Sequence, residues 1–593
     1  MYIKQMNFET ESLIMTYAEP FAVFRWLEGG EYPYRLLETA WRFLLDNQGH
    51  DSIGGCSVDR VHEDMMFRYH QAMDIAKGVM EMNAAYFAAR IDLSKAADDE
   101  IHLLVVNPTN YDRDEVMTAY VDIPLEWSGG FSIDPQPLTL SIEDEQGSRA
   151  EVQQLSHQTL YPVLQQPIDS PLYLNMSRHK ICFKGGRVPA FGYTVYRLSA
   201  REGARRSTAT MVTDLHTMEN QYLKISINSN GTWNVEDKHN NITYRDQGLI
   251  WDGGETGDPW VHIPPGNNKI LTSHASSARI ALEIDGPLLA RYSITIDLSV
   301  PAHASSDGLG RAEQMKILQI KHQLTLRKGA PRLDIMTQVN NVCEDHWLRL
   351  LFPTDLSVND VHVEGQFDIV QRSIQHEAGT ESWPEGPQNA NPMNSFVDYH
   401  NSEKGVAFIN YGLKEYEAMD DSRRTFAMTL IRAYPLKITG VGMQDYSKEQ
   451  KGSQCLGEQV FNYSIYPHSG SWETDVFKQT TLHNQAMNIL QVARNNGNGP
   501  KERSFMKLEP EGLIITGIKA AEEGDAWIVR FFNPSGKSIK GSLTLERPVG
   551  RCDLVTLEEK TVESCAIHNN KIVFEISSKQ IMTLKIFRKG NSE

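Results

Sequence analysis

The sequence predicts a mainly β protein with an α-helical bundle at its N-terminus. Three observations carry this. Up to about residue 96, apolar residues recur at three- and four-residue steps, the period of a helix with one buried face. Beyond that point the period changes to alternation, as in VMTAYVDIP (116–124), ARYSITIDLSV (290–300) and KILQIKHQLTL (316–326), which marks half-buried strands. Turn signals such as Asn230-Gly231 and Gly253-Gly254 punctuate these runs. Strand after strand with little helix between them argues for antiparallel sandwiches, not a parallel α/β sheet.

The first helix is expected from Asn7 to Glu28 on Leu13, Ile14, Tyr17, Ala18, Phe21, Phe24 and Leu27. Pro20 should kink it, and Gly29-Gly30 should stop it. A second helix, from about Pro33 to Asn47, carries Leu36, Leu37, Ala40, Trp41, Leu44 and Leu45. A third runs from about Val58 to Ile91, with Ser57 as its N-terminal cap. Short connections between three helices predict an antiparallel bundle. The expected organisation is a three-helix bundle (1–96), a small β domain (97–205), a large β-sandwich (212–497) and a C-terminal β module (504–593). Arg201–Thr208 and Asn495–Arg503 read as polar linkers, and Ala302–Gly310 as a long hairpin loop inside the sandwich.

Composition narrows the function classes. With Lys+Arg 58 against Asp+Glu 76, the net charge is −18, so nucleic acid is not expected as a partner, because phosphate neutralisation needs a basic face. No apolar run is long enough to span a membrane, and MYIKQMNFETES lacks the basic and apolar regions of a secretory signal. The six cysteines form no C-x-x-C pair, which fits reduced thiols and a cytoplasmic location. There is no G-x-G-x-x-G opening a helix, no phosphate-binding G-x-x-x-x-G-K-[ST] loop and no G-x-S-x-G elbow, so nucleotide and serine-hydrolase chemistry have no local support.

The densest polar cluster, Asn47-Gln48-Gly49-His50-Asp51-Ser52-Ile53-Gly54-Gly55-Cys56-Ser57, lies between the second and third helices. A neutral imidazole such as His50 is the commonest metal ligand, and a neighbouring carboxylate such as Asp51 can accept sugar hydroxyls or orient a ligand. The bland alternative is a capped interhelical turn. His62 and His70 lie two turns apart on the third helix, too far for one ion, and read as a solvated face. Trp251-Asp252-Gly253-Gly254, Gly257-Asp258-Pro259-Trp260 and Trp383-Pro384-Glu385-Gly386 combine an aromatic face with carboxylates. That pairing suits sugar stacking or, equally, loop anchoring.

The segment AWRFLLDNQGHDSIGGCSVDRVHEDMMFRY (40–69) resembles the helical-bundle region of glycoside hydrolase family 38, the α-mannosidases, nearest to their bacterial, mannosylglycerate hydrolase-like branch. Segments resembling the family's β half follow in order: VVNPTNYDRDEV (105–116), ENQYLKISINSNGTWNVEDKHNN (219–241), GDPWVHIPP (257–265), NNVCEDHWLRLLFP (340–353), GVAFINYGLKEYEA (405–418) and QCLGEQVFNYSIYPH (454–468). The resemblance implies a retaining α-mannosidase acting on α-mannosides, with mannosylglycerate or its phosphorylated form as candidate substrates. It implies a divalent metal, usually zinc, with His50 as a ligand and Asp51 contacting the sugar or supporting the metal shell. The family places its nucleophile and acid/base carboxylate in a domain ahead of this bundle. The residues before His50 read as helix, so no catalytic residue is assigned in this sequence. A separate N-terminal catalytic polypeptide is the expected partner. The bundle face it would cover is expected to be apolar and to drive self-association into a homo-oligomer. Trp347 departs from the Arg that many relatives carry there. The alternatives are a non-catalytic carbohydrate-binding or structural subunit and, further off, a β-sandwich polysaccharide lyase or epimerase-like protein.

Overall fold

The structure is a computed structural model that describes residues 2–97, 100–125, 138–164, 170–203, 208–384, 386–436 and 450–588. The first expected helix is three segments in line: α1 (Tyr2–Ser12), a π-helical stretch (Leu13–Ala18) and α2 (Glu19–Leu27). Ser12, Ala18 and Glu19 all keep right-handed helical angles at the junctions, so the rod is continuous. Proline lacks an N–H and crowds the carbonyl four residues earlier. A widened, π-helical turn stands directly ahead of Pro20 and accommodates it within the helix.

Next come α3 (Tyr34–Asp46), the five-residue α4 (His50–Gly54) and α5 (Asp59–Ala88). Ser57 does not cap α5: the N-cap position is Val58, with no side-chain cap bond. The bundle core is Ile14, Ala18, Ala22, Leu37, Ala40, Leu44, Met65, Tyr69, Ala72 and Ala76. Alanines at facing positions let the helices approach closely. Buried Asn47 ties the end of α3 to α5, donating to the Met65 carbonyl (3.0 Å) and accepting from Arg68 (3.1 Å).

The small β domain is built on strand Ile101–Asn107, which pairs with Gly192–Glu202 on one side and Asn488–Val492 on the other. Glu502–Ser504 also joins this sheet, through Gly192–Thr194. Residues 488–504 therefore belong with the small β domain. The division expected near residue 497 placed part of them in the sandwich and part in a linker. Both are short strands whose pairing is set by partners some 310 to 390 residues away in sequence. The linker at 201–208 lies partly outside the described residues.

Between these strands sits the large sandwich. A nine-stranded and a six-stranded antiparallel sheet enclose a core that includes Trp233, Phe352, Tyr399, Phe408 and Phe426, with Phe408 stacked on Phe426 at 4.3 Å. The hairpin expected around Ala302–Gly310 is present: Leu289–Pro301 pairs with Met315–Arg327 from Leu289↔Arg327 to Pro301↔Met315.

The C-terminal module shares its core with the bundle. Phe21, Phe24 and Phe87 pack with Phe505, Trp527 and Leu543. Phe24 stacks on Phe505 at 4.7 Å, a contact adding about 0.5–1.5 kcal/mol beyond its buried area. Glu28 at the end of α2 pairs with Arg503 (2.5 Å) and Arg547 (2.6 Å). The bundle is thus held from two sides, and its turns are presented on a fixed support. The cysteines are unpaired, and no described helix is long and apolar enough to cross a membrane.

Candidate functional site

The polar cluster after α3 is a built turn. Gly49 leads into α4 in an extended conformation, and Gly55 closes it at φ +86°, a left-handed angle that favours glycine. The Gly55 carbonyl accepts a hydrogen bond from the Tyr434 hydroxyl at 2.9 Å. A Cβ on Gly55 would lie 3.3 Å from that same oxygen, so the bare backbone is what lets the sandwich grip the turn. A second grip lies at the start of α5. The Asp59 carboxylate accepts the Lys451 N–H (2.7 Å) and the Gly452 N–H (3.0 Å), while the Asp59 N–H donates to Gln450 (2.6 Å). The turn that carries His50 and Asp51 is therefore clamped between bundle and sandwich.

His50 points outward, with its side chain 95 % exposed. Its Nε2 lies 3.4 Å from Asp51 Oδ1, and the Asp51 side chain is 63 % exposed. The imidazole is not walled off by its neighbours, and both groups are open to a ligand. Cys56 Sγ stands 3.7 Å from the same Asp51 oxygen; burial first, and then the Asp51 charge, push its thiol pKa up. Among the described residues no group of three or more His, Cys, Asp or Glu side chains is placed to hold a metal. A zinc site normally takes three protein ligands or more. One ring nitrogen and one carboxylate do not hold such an ion by themselves.

His62 departs from the expected solvated face. It is 6 % exposed, with Nε2 lacking a hydrogen-bond partner, and burial lowers its pKa. The Ser52 backbone of the turn ahead of α5 lies against its ring. His70 is exposed, so the two histidines do not share one environment.

The three tryptophan segments separate sharply. Trp251-Asp252-Gly253-Gly254 is a strand, not a loop. Asp252 is fully buried and accepts from His346 Nδ1 (2.6 Å) and Arg311 (2.5 Å), and Trp251 packs under the Arg349 guanidinium at 3.9 Å. The Asp252 carboxylate is therefore committed inside the sandwich and not available to a sugar. Trp383 is exposed, but Glu385 lies outside the described residues.

The Gly257–Trp260 segment is a different object. Glu255, fully buried, accepts from His262 Nδ1 (2.6 Å), Arg432 Nε (2.9 Å) and the Gly257 and Ile263 N–H groups (2.7 and 3.2 Å). Burial alone would raise its carboxyl pKa. The His262 hydrogen bond and the Arg432 charge outweigh burial and hold it below the usual value. Asp258 accepts the Trp260 and Val261 N–H groups (2.9 and 2.8 Å). A Cβ at Gly257 would lie 2.0 Å from the Val261 carbonyl, so only glycine fits. The loop closed in this way displays Trp260 with 61 % of its surface exposed.

Arg432 also donates to the Asp258 carbonyl at 2.5 Å. Two residues on, Tyr434 holds Gly55. One strand end, Thr425–Ala433 and its continuation, thus positions both the His50 turn and the Trp260 loop. A cavity of about 380 Å³ opens between them, lined by Ile53, Gly55, His62, Pro259, Arg432 and Tyr434 among others. Glu255, Arg432, Tyr434 and Asp59 escaped sequence reading because each acts on a partner more than 170 residues away, except within its own loop. The only local signal was the Gly257-Asp258 pair. The Trp347 departure has a structural role: its ring lies 4.2 Å from His262 and 4.1 Å from the Arg349 guanidinium, wedged behind the Glu255 cluster.

Comparison with known proteins follows the same domain order. Residues 1–87 match the family model described as the α-mannosidase middle domain. Residues 218–435 match the glycosyl hydrolases family 38 C-terminal domain, and residues 512–584 that family's C-terminal β-sandwich domain. A curated protein of Halalkalibacterium halodurans named "Putative mannosylglycerate hydrolase" is 24% identical over 617 residues, covering 99% of this chain and 66% of the relative. The crystal structure of an α-mannosidase from Enterococcus faecalis V583 superposes with a TM-score of 0.88 at 23% identity, covering 99% of this chain and 67% of that one. A family 38 glycosyl hydrolase structure from Enterococcus faecalis gives 0.87 at 23% identity, covering 99% and 70%. The chain spans about two thirds of the length of these relatives. It belongs to glycosyl hydrolase family 38, and its 593 residues carry that family's middle, C-terminal and C-terminal β-sandwich domains.

Proposed function

We propose that this chain is the substrate-embracing part of a retaining α-mannosidase, acting on an α-mannoside such as mannosylglycerate or its phosphorylated form. His50 contributes one nitrogen to a divalent metal site, zinc by family resemblance. The remaining ligands, the nucleophile and the acid/base carboxylate come from polypeptide outside these 593 residues. Asp51 accepts hydroxyls of the bound mannose, and Trp260 offers an apolar face to a sugar ring. Retaining hydrolysis uses two carboxylates, one attacking the anomeric carbon and one protonating the leaving oxygen. No such role is assigned to a residue of this chain.

The observation that carries this reading is the His50 ring. It stands almost wholly exposed on a turn that the sandwich clamps through Tyr434 and Asp59. A surface histidine held so firmly, yet without a partner set of its own, suits a donor to a shared site. A second reading, a non-catalytic carbohydrate-binding subunit, draws on Trp260 alone.

The test combines metal analysis with activity. The 593-residue chain by itself is expected to hold no stoichiometric tight zinc and to leave an aryl α-mannoside intact. Supplied with a family 38 catalytic domain, it should gain both, and His50→Ala should remove both. Tight stoichiometric zinc in the lone chain, or activity untouched by His50→Ala in the complemented enzyme, overturns the proposal. Glycan binding without any hydrolysis after complementation supports the second reading.

A further inference from the structure

The C-terminal module contains a pair of thiols that the proposed hydrolase chemistry does not use. Strand Val549–Val555 pairs with the edge strand Thr561–Ser564 in antiparallel register, with Asp553 opposite Ser564. The next step of that register places Cys552 opposite Cys565, and the Cys565 N–H donates to the Cys552 carbonyl at 2.8 Å. Opposite residues in an antiparallel pair project from the same face of the sheet. Opposite Cα atoms in an antiparallel pair lie about 4.5–5.5 Å apart, inside the roughly 4.4–6.8 Å window that a disulfide requires.

We propose that Cys552 and Cys565 form a dithiol modification site that reacts reversibly with oxidants of the disulfide class. The two cysteines are unequal in a way that sets the order of events. Cys552 is fully buried in a core with Trp527, Leu584 and Ile586, whereas Cys565 is partly exposed immediately after the outermost strand. The register places the Cys552 thiol beside the Cys565 thiol on one face of the sheet. That contact holds the Cys565 thiol below its usual pKa, and the same contact together with burial pushes Cys552 up. A thiolate is the attacking species in exchange, so Cys565 reacts first.

The chemistry balances with one external disulfide. The Cys565 thiolate attacks a sulfur of the oxidant, the oxidant S–S bond breaks, and one small thiol leaves carrying the Cys565 proton. Cys552 then attacks the Cys565 sulfur of the mixed disulfide and gives its proton to the second departing thiol. Two protein thiols are oxidised, and one external disulfide is reduced to two thiols. All four residues of the edge strand are exposed, and the strand has a neighbour on one side only. It can close the remaining gap between the sulfurs. A bridge formed by such a shift carries strain and is correspondingly easy to reduce.

The experiment treats the full reduced chain with oxidised glutathione and follows intact mass and alkylatable thiols. Of the six free cysteines, two should be lost to alkylation, the mass should fall by two hydrogens, and a non-reducing digest should join residues 552 and 565. Reduction should restore the starting mass. Cys552→Ser should retain a single glutathionyl group on Cys565, because the resolving thiol is gone. Cys565→Ser should show neither adduct nor bridge at position 552. Wild-type chain that keeps both thiols alkylatable, or that bridges other cysteines instead, overturns the proposal. If the buried Cys552→Ser variant fails to fold, the wild-type digest and the variant Cys565→Ser still decide it.

Discussion

The molecule contains two His–Asp pairs that look alike on paper and behave as opposites. His346 and Asp252, far apart in sequence, meet at 2.6 Å with neither side chain exposed. Arg311 and Asn341 complete the network, Asn341 accepting from His346 Nε2 at 3.1 Å. His50 and Asp51 are sequence neighbours, stand 3.4 Å apart and face solvent. In the first pair both carboxylate oxygens and both ring nitrogens have partners inside the protein, so it braces the sandwich. In the second the valences are left over, while the backbone beneath them is fixed. Burial and partner count, not residue type, separate a strut from a docking point.

Mutations sharpen this contrast, and the largest effect is expected at the strut. Asp252→Ala leaves His346 and Arg311 buried without their anion and should cost about 3–5 kcal/mol, read by denaturant unfolding. Glu255→Gln replaces an anion that serves both His262 and Arg432, and should cost about 1.5–3 kcal/mol with a more mobile Trp260. The pH dependence has a definite sign. Glu255 is held below its usual value in the folded state, so its contribution is present above the unfolded value. It fades as pH falls through the folded one. The stability gap between wild type and Glu255→Gln should therefore narrow below about pH 4.

Smaller effects are expected at the turn. Tyr434→Phe deletes the hydrogen bond to Gly55 and should cost about 0.5–1.5 kcal/mol. Faster amide exchange should be confined to the 50–55 turn. His50→Ala should change stability by no more than about 0.5 kcal/mol, yet remove activity from the complemented enzyme. A large unfolding penalty for His50→Ala would erase the distinction between the two pairs.

The parts of this architecture legible in the sequence are those governed by local period. Leu37, Ala40 and Leu44 announce α3 because a helix places them on one face, and the alternation in 290–300 and 316–326 announces the long hairpin. The Asn47–Ser57 cluster was visible as a concentration of polar groups and glycines. Its short helix was not, since five residues carry no period. The burial of His62 was hidden because groups near it, the Ser52 backbone and the chain's N-terminal end, come from other turns of the bundle. Asp252 read like a sugar-binding carboxylate for a related reason: its partners Arg311 and His346 lie 59 and 94 residues further on. Strands 488–492 and 502–504 were hidden because both are short and their pairing is set by the sheet they return to.

That return has a mechanical consequence. Because the chain leaves the small sheet after Gly192–Glu202 and rejoins it at Asn488–Val492, the sandwich hangs from two anchorages rather than one. A single tether would let it swing like a door; a double one restricts it to small twists. The gap between the imidazole and the indole is then set by the framework rather than by closure of a lid.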